Sequence, residues 1–180
     1  MELSEGIKGR KSIRRYTEEK ISHEIIEEIV EAARFTPSWE NTQTWRVNIV
    51  EDRDLINKIA NEYNGNEKAN IHILEKASCI CVLTYVKGLS GCHKDGTYVT
   101  KKGGGWEMFD SGMFAMNFEL LCHDKGIGTC TIGCFDEDEI IDLLNLGDNV
   151  GIGCLITMGY PGYVAKPRPR KEVSELLKFI

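Results

Sequence analysis

The sequence has no apolar run long enough to cross a bilayer. Its longest, Cys79 to Val86 and Gly151 to Tyr160, are strand-sized, whereas a spanning helix needs ~20 apolar residues. The opening Met1-Glu2-Leu3-Ser4-Glu5 lacks the basic and apolar regions of a secretory signal, so a cytoplasmic protein is expected. Neither G-x-G-x-x-G nor a P-loop is present, and Lys101-Lys102-Gly103-Gly104-Gly105 sets its lysines on the wrong side of the glycines. No closely spaced cysteine run suits an iron-sulfur cluster. Seven cysteines, an odd number without an export signal, point to reduced thiols rather than a disulfide framework. Cys130 and Cys134 have a spacing that suits a metal, and Cys92-His93 or Cys122-His123 could add ligands. No second well-spaced pair completes a tetrahedral set, so no metal is expected. Positive charge is also in deficit: 22 Lys and Arg stand against 28 Asp and Glu, a net charge of -6. An overall field that would attract nucleic acid or anionic lipid is therefore absent.

What is present is ordinary globular composition, with 42% apolar and 28% charged residues over 180 positions. One domain spanning 1–180 is expected, and a chain of this length can bury about 70% of the surface it exposes when unfolded. Ser22 to Arg34 sets Ile25, Ile26, Ile29, Val30 and Ala33 on one helical face, with Ser22 as cap. Val47 to Val50 reads as a strand, about Asp52 to Tyr63 as a helix, and Asn64-Gly65-Asn66 as a turn. Ala77 to Val86, rich in β-formers on both faces, reads as a central strand. Lys87 to Gly105, with six glycines and little periodicity, reads as a loop or excursion lying over a site. Trp106 to Lys125 carries apolar residues nearly all round a helix, which asks for cover on both sides. Asp136 with Glu139 has the form of a capping box, Phe135 could staple onto Ile140, and Gly147 is the expected end of that helix. Cys154 to Tyr160 is another buried strand. Helices alternating with strands give an α/β or α+β sandwich.

Against the acidic background two basic clusters stand out. One is Arg10-Lys11-Ser12-Ile13-Arg14-Arg15; the other is Lys166-Pro-Arg-Pro-Arg-Lys171, held extended by its prolines. They read either as solvated surface charge or as two halves of a phosphate site, for which forked guanidinium donors are well shaped. The order of motifs separates these readings. Arg10-x-Ser12-x-Arg14, then Pro37-Ser38-x-x-Asn41-x-Gln43-x-Trp45, then Gly126-x-Gly128, then Gly159-Tyr160-Pro161 and the basic tail resembles the nitroreductase-like flavoproteins along nearly the whole chain. Thr44 stands where that family commonly has proline.

The resemblance implies an α+β fold with a mixed, mostly antiparallel sheet flanked by helices. It also implies an intertwined homodimer formed through the Trp106 to Lys125 helix and an exchanged C-terminal tail. Arg10 and Ser12, with Arg168 and Arg170, would hold the phosphate of flavin mononucleotide (FMN). Lys11 and Arg14 would lie beside the phosphate, the ribityl chain and the pyrimidine edge of the ring. Pro37, Ser38 and Asn41 would come from the partner subunit, and Thr131-Ile132-Gly133-Cys134 would run past the flavin N5 edge. The implied activity is an NAD(P)H-dependent FMN oxidoreductase: NADH or NADPH gives hydride to the flavin, then an electrophilic acceptor such as a nitroaromatic or quinone takes it. No side-chain acid or base is expected to be essential to the flavin chemistry. The alternatives are a specialised member acting on flavin or a halogenated aromatic, and a non-catalytic flavin sensor. Trp39 and Trp45 read as core or interface aromatics, and Cys134 reads as an inert thiol. His93 and His123 read as exposed or core rather than as proton donors.

Overall fold

Alternating side chains on β2 (Cys79–Val86) decide the architecture: Cys79, Cys81 and Leu83 enter one apolar cluster while Ile80 and Val82 enter another on the opposite face. In the computed structural model, which describes residues 1–180, β2 and β4 (Val150–Gly159) form the middle of a four-stranded sheet. The order is β1-β2-β4-β3, with β1 at Trp45–Val50 and β3 at Gly128–Ile132. Helices α2 (His23–Ala33) and α5 (Gly105–Asp124) cover the first face. Helices α3 (Arg53–Glu62), α4 (Lys68–Glu75) and α6 (Glu137–Leu143) cover the second. Short helices α1 (Leu3–Gly9) and α7 (Val173–Leu176) lie near the ends of the chain. No helix is long and apolar enough to cross a membrane.

The expected mixed sheet is antiparallel at every strand pair. The connection explains this: α3 and α4 pack on each other and return the chain to the end of β1 that it left, so Ile80 pairs with Val50. The one parallel feature is an isolated bridge between Ser12 and Thr129, where the Ile13 N–H donates to the Thr129 carbonyl at 2.8 Å. Downstream, the Tyr16 hydroxyl donates to the Ile13 carbonyl and shares a hydrogen bond with Thr157, each at 2.7 Å. The Gly162 N–H donates back to the Arg15 carbonyl. These contacts lay the first basic cluster along the β3 edge, beside the tail that leaves β4.

Local signals succeeded where their partners were local. The Ser22 hydroxyl accepts from the Ile25 N–H, and Asp52 Oδ1 accepts from the N–H groups of Asp54 and Leu55. At α6 the expected capping box is not made, because Asp136 turns its carboxylate away to accept from the Gly65 N–H at 3.2 Å. The same helix ends at Leu143, before Gly147, where Asn145 takes a left-handed φ of 51° and closes the turn. Helix α4 has no strong helical stripe in sequence and forms by packing Ile73 and Leu74 against the second core.

Candidate functional site

Arg10, at the end of α1, is where three surface cavities meet. The largest of the three, about 760 Å³, is a cationic groove. Its walls hold Arg10, Lys11, Ser12 and Arg14 from the N-terminal segment, and Lys166, Arg168 and Arg170 from the segment after β4; no carboxylate lines it. The two basic clusters thus face one space although more than 150 residues separate them in sequence. The second cavity, about 350 Å³, is walled largely by apolar or small residues of α5 and β4, including Met108, Ala115, Met116 and Gly153. Arg10 and Glu119 are its only charged lining residues.

Glu119 explains how Arg10 is held. It projects from the buried side of α5, and one carboxylate oxygen accepts from Arg10 Nη1 at 3.2 Å while the other accepts from the Thr131 hydroxyl. Both side chains of the ion pair are largely withdrawn from solvent, where a charge-assisted contact is screened less than on an open surface. The guanidinium is thereby fixed at the mouth of the apolar cavity. Thr131 is exposed on the cavity side of β3, whereas the Ile132 side chain is buried in the second core. Beyond them Gly133 and Cys134 are exposed. A Cβ at Gly133 would meet nothing within 4 Å, so the backbone there lies open to a ligand.

Pro37, Ser38 and Asn41 lie elsewhere. Their turn docks near the start of α5, where Asp110 accepts from the Trp39 N–H at 3.0 Å, and none of the three lines the Arg10 cavities. Asp110 and Glu119 are nine residues apart, roughly 13 Å along the helix axis. Trp45 is buried and stacks on Phe114, while Trp39 packs against Trp106. Sequence reasoning missed Glu107, Asp110 and Glu119, all buried on α5. A helix read as apolar nearly all round gives no reason to place its few acids on a buried face; their spacing with Phe114, Phe118 and Cys122 was the available signal.

The ionisable groups around the site are quiet. Burial lowers the His123 pKa, and the charges of Arg10 and Lys11 lower it further, so the imidazole is neutral at pH 7. Burial pushes the Cys79 and Cys154 thiols up to about 12 and raises Cys81 well above its ordinary value. All seven cysteines are free, and Cys134 alone is exposed.

Comparison with known proteins gives one consistent match. A family model described as the Nitroreductase family matches residues 7–160. An oxygen-insensitive NADPH nitroreductase from Helicobacter acinonychis is 39% identical over 186 aligned positions, covering 88% of this chain and 87% of the relative. A nitroreductase family protein from Clostridium novyi NT has a solved structure with 27% identity and a TM-score of 0.78, covering 89% of this chain and 86% of that one. A nitroreductase from Exiguobacterium sibiricum 255-15, solved in complex with FMN, shares the fold at a TM-score of 0.85 and 21% identity. That match covers 100% of this chain and 98% of that one.

Thiol labelling of the native, ligand-free protein should show a single fast phase belonging to Cys134. Cys92, half-buried with its pKa raised by burial, should follow slowly, and the other five should react only after denaturation. Cys134→Ser should remove the fast phase; a fast phase that persists would show that a supposedly buried thiol is accessible.

Proposed function

The chain belongs to the nitroreductase family, and from that premise we propose that it is an FMN-dependent oxidoreductase working as a homodimer. The observation that carries the reading is the place of Arg10, shared by a cationic groove and an apolar cavity. Such a pair suits a ligand with an anionic end and a flat, weakly polar ring. The residues fit FMN on both counts: seven cations line the groove without a carboxylate, and Thr131, which lines the apolar cavity, leads into the open backbone at Gly133.

In this reading Arg10, Ser12, Arg168 and Arg170 bind the phosphate, Lys11 and Arg14 lie along the ribityl chain and pyrimidine edge, and Thr131-Ile132-Gly133-Cys134 pass the N5 edge. Ile132 contributes backbone only, since its side chain is core. When bound, FMN carries a hydride from NADH or NADPH to an electrophilic acceptor such as a nitroaromatic or a quinone, in two half-reactions at one site. The protein's own part is to hold the ring, neutralise the phosphate and limit water. In this reading no conventional acid-base residue is required. The seven free cysteines suit a reducing compartment, and we place the protein in the cytoplasm.

The dimer reading rests on α5. Its inner face holds Glu107, Asp110, Ser111 and Glu119, while Met108, Phe109 and Met116 are 46%, 55% and 40% exposed. The tail adds Val173, Leu176, Leu177 and Phe179, all exposed. A second copy seated on this face would cover a large apolar surface and bring its own Pro37, Ser38 and Asn41 to the cavity. Arg10→Ala should weaken FMN binding by about 1.5–3 kcal/mol for a lost charged hydrogen bond, and Arg168→Ala by less, because Arg168 is exposed. Titration of the apoprotein with FMN reads both; unchanged affinity in both variants would refute the phosphate assignment. The mass in solution at micromolar protein should be that of a dimer, and a monomeric mass would refute the subunit arrangement.

A further inference from the structure

The turn carrying Pro37, Ser38 and Asn41 is not stable on its own terms. Glu40, Asn41 and Gln43 all sit at left-handed φ values of 46°, 59° and 48°, a region that non-glycine residues adopt at a cost. The indole N–H of Trp39 and the hydroxyl of Thr42 are buried without hydrogen-bond partners. Within the turn, the Gln43 N–H donates to the Ser38 hydroxyl at 2.9 Å. The turn's polar anchor to α5 is Asp110, only 1% exposed, which accepts from the Trp39 N–H.

The same carboxylate oxygen of Asp110 also accepts from the Ser90 hydroxyl at 2.5 Å. Ser90 is fully buried and belongs to the 87–105 excursion, whose first residues are gripped again one helical turn away, where Glu107 accepts from the Gly88 N–H at 2.5 Å. Asp110 makes no ion pair. Its buried charge is met by those two donors, so losing either leaves it undersatisfied. Trp39 further packs on Trp106, which donates to the Thr100 hydroxyl at 2.9 Å. The turn and the excursion therefore share one polar anchor and one aromatic contact.

We propose that Asp110 is a positioning residue that couples the 37–44 turn to the 87–105 excursion, so that seating of the cofactor by the turn and closing of the excursion are one event. The coupling rests on the reading that this turn contributes to the FMN site of a second copy. FMN contacts that hold the turn keep Trp39 on Asp110, and Asp110 holds Ser90; a free turn loosens both.

Limited trypsin digestion of the full-length protein, with and without saturating FMN, tests this at the exposed Lys94, Lys101 and Lys102 of the excursion. In the wild type FMN should slow cleavage at these lysines by about tenfold through suppressed local opening. Ser90→Ala, which touches neither the groove nor the turn, should bind FMN within about twofold of wild type yet lose the FMN-dependent protection. Asp110→Asn should lose protection and also bind FMN several-fold more weakly; it carries the test if Ser90→Ala does not fold. A merely structural role would lower stability but leave the ratio of the two cleavage rates intact. Protection that survives in these variants, or a wild type that binds FMN without protecting the excursion, overturns the coupling while leaving the FMN reading in place. A wild type that binds no FMN overturns both.

Discussion

Helix α5 turns three of its four carboxylates inward and Met108, Phe109 and Met116 outward, and the rest of the molecule is arranged around that inversion. A carboxylate buried without partners is costly, so each of the three must be satisfied, and each is satisfied by donors from outside the helix. Glu107 holds the start of the excursion through Gly88, and burial raises its pKa despite that N–H. Asp110 holds the excursion and the turn after α2, and Glu119 holds Arg10 and Thr131. One helix thereby fixes the segments proposed to bind the cofactor, and its outward face carries the exposed apolar side chains on which the proposed dimer rests.

The fold was largely legible because its signals are local or periodic. The amphipathic stripe of α2, the Asp52 and Ser22 caps and the two-faced apolar run of β2 each dictate structure within a few residues. What sequence missed depends on contacts between distant positions. Asp136 could not be seen to prefer the Gly65 N–H over its own helix, and α4 owes its existence to the core it covers. The antiparallel return of β2 likewise follows from how α3 packs on α4, which no window of sequence contains.

The site was legible in a different way. The basic clusters are visible as anomalies in an acidic chain, and the structure places them around one groove. The acids that organise them are invisible for the opposite reason, since Glu and Asp on a helix are ordinarily solvent-facing. Thr131 and Ile132 illustrate the limit of motif transfer: neighbouring residues of one motif point to opposite faces of β3, one to the cavity and one to the core.

The central claim is that the groove and the cavity meeting at Arg10 hold a flavin that accepts hydride. The direct measurement is the visible absorbance of the purified protein, reconstituted with FMN if colourless, before and after anaerobic addition of NADH or NADPH. The account predicts an oxidised flavin spectrum that bleaches on addition of the nucleotide. A protein that takes up no FMN, or whose bound flavin stays oxidised with both donors, would contradict it.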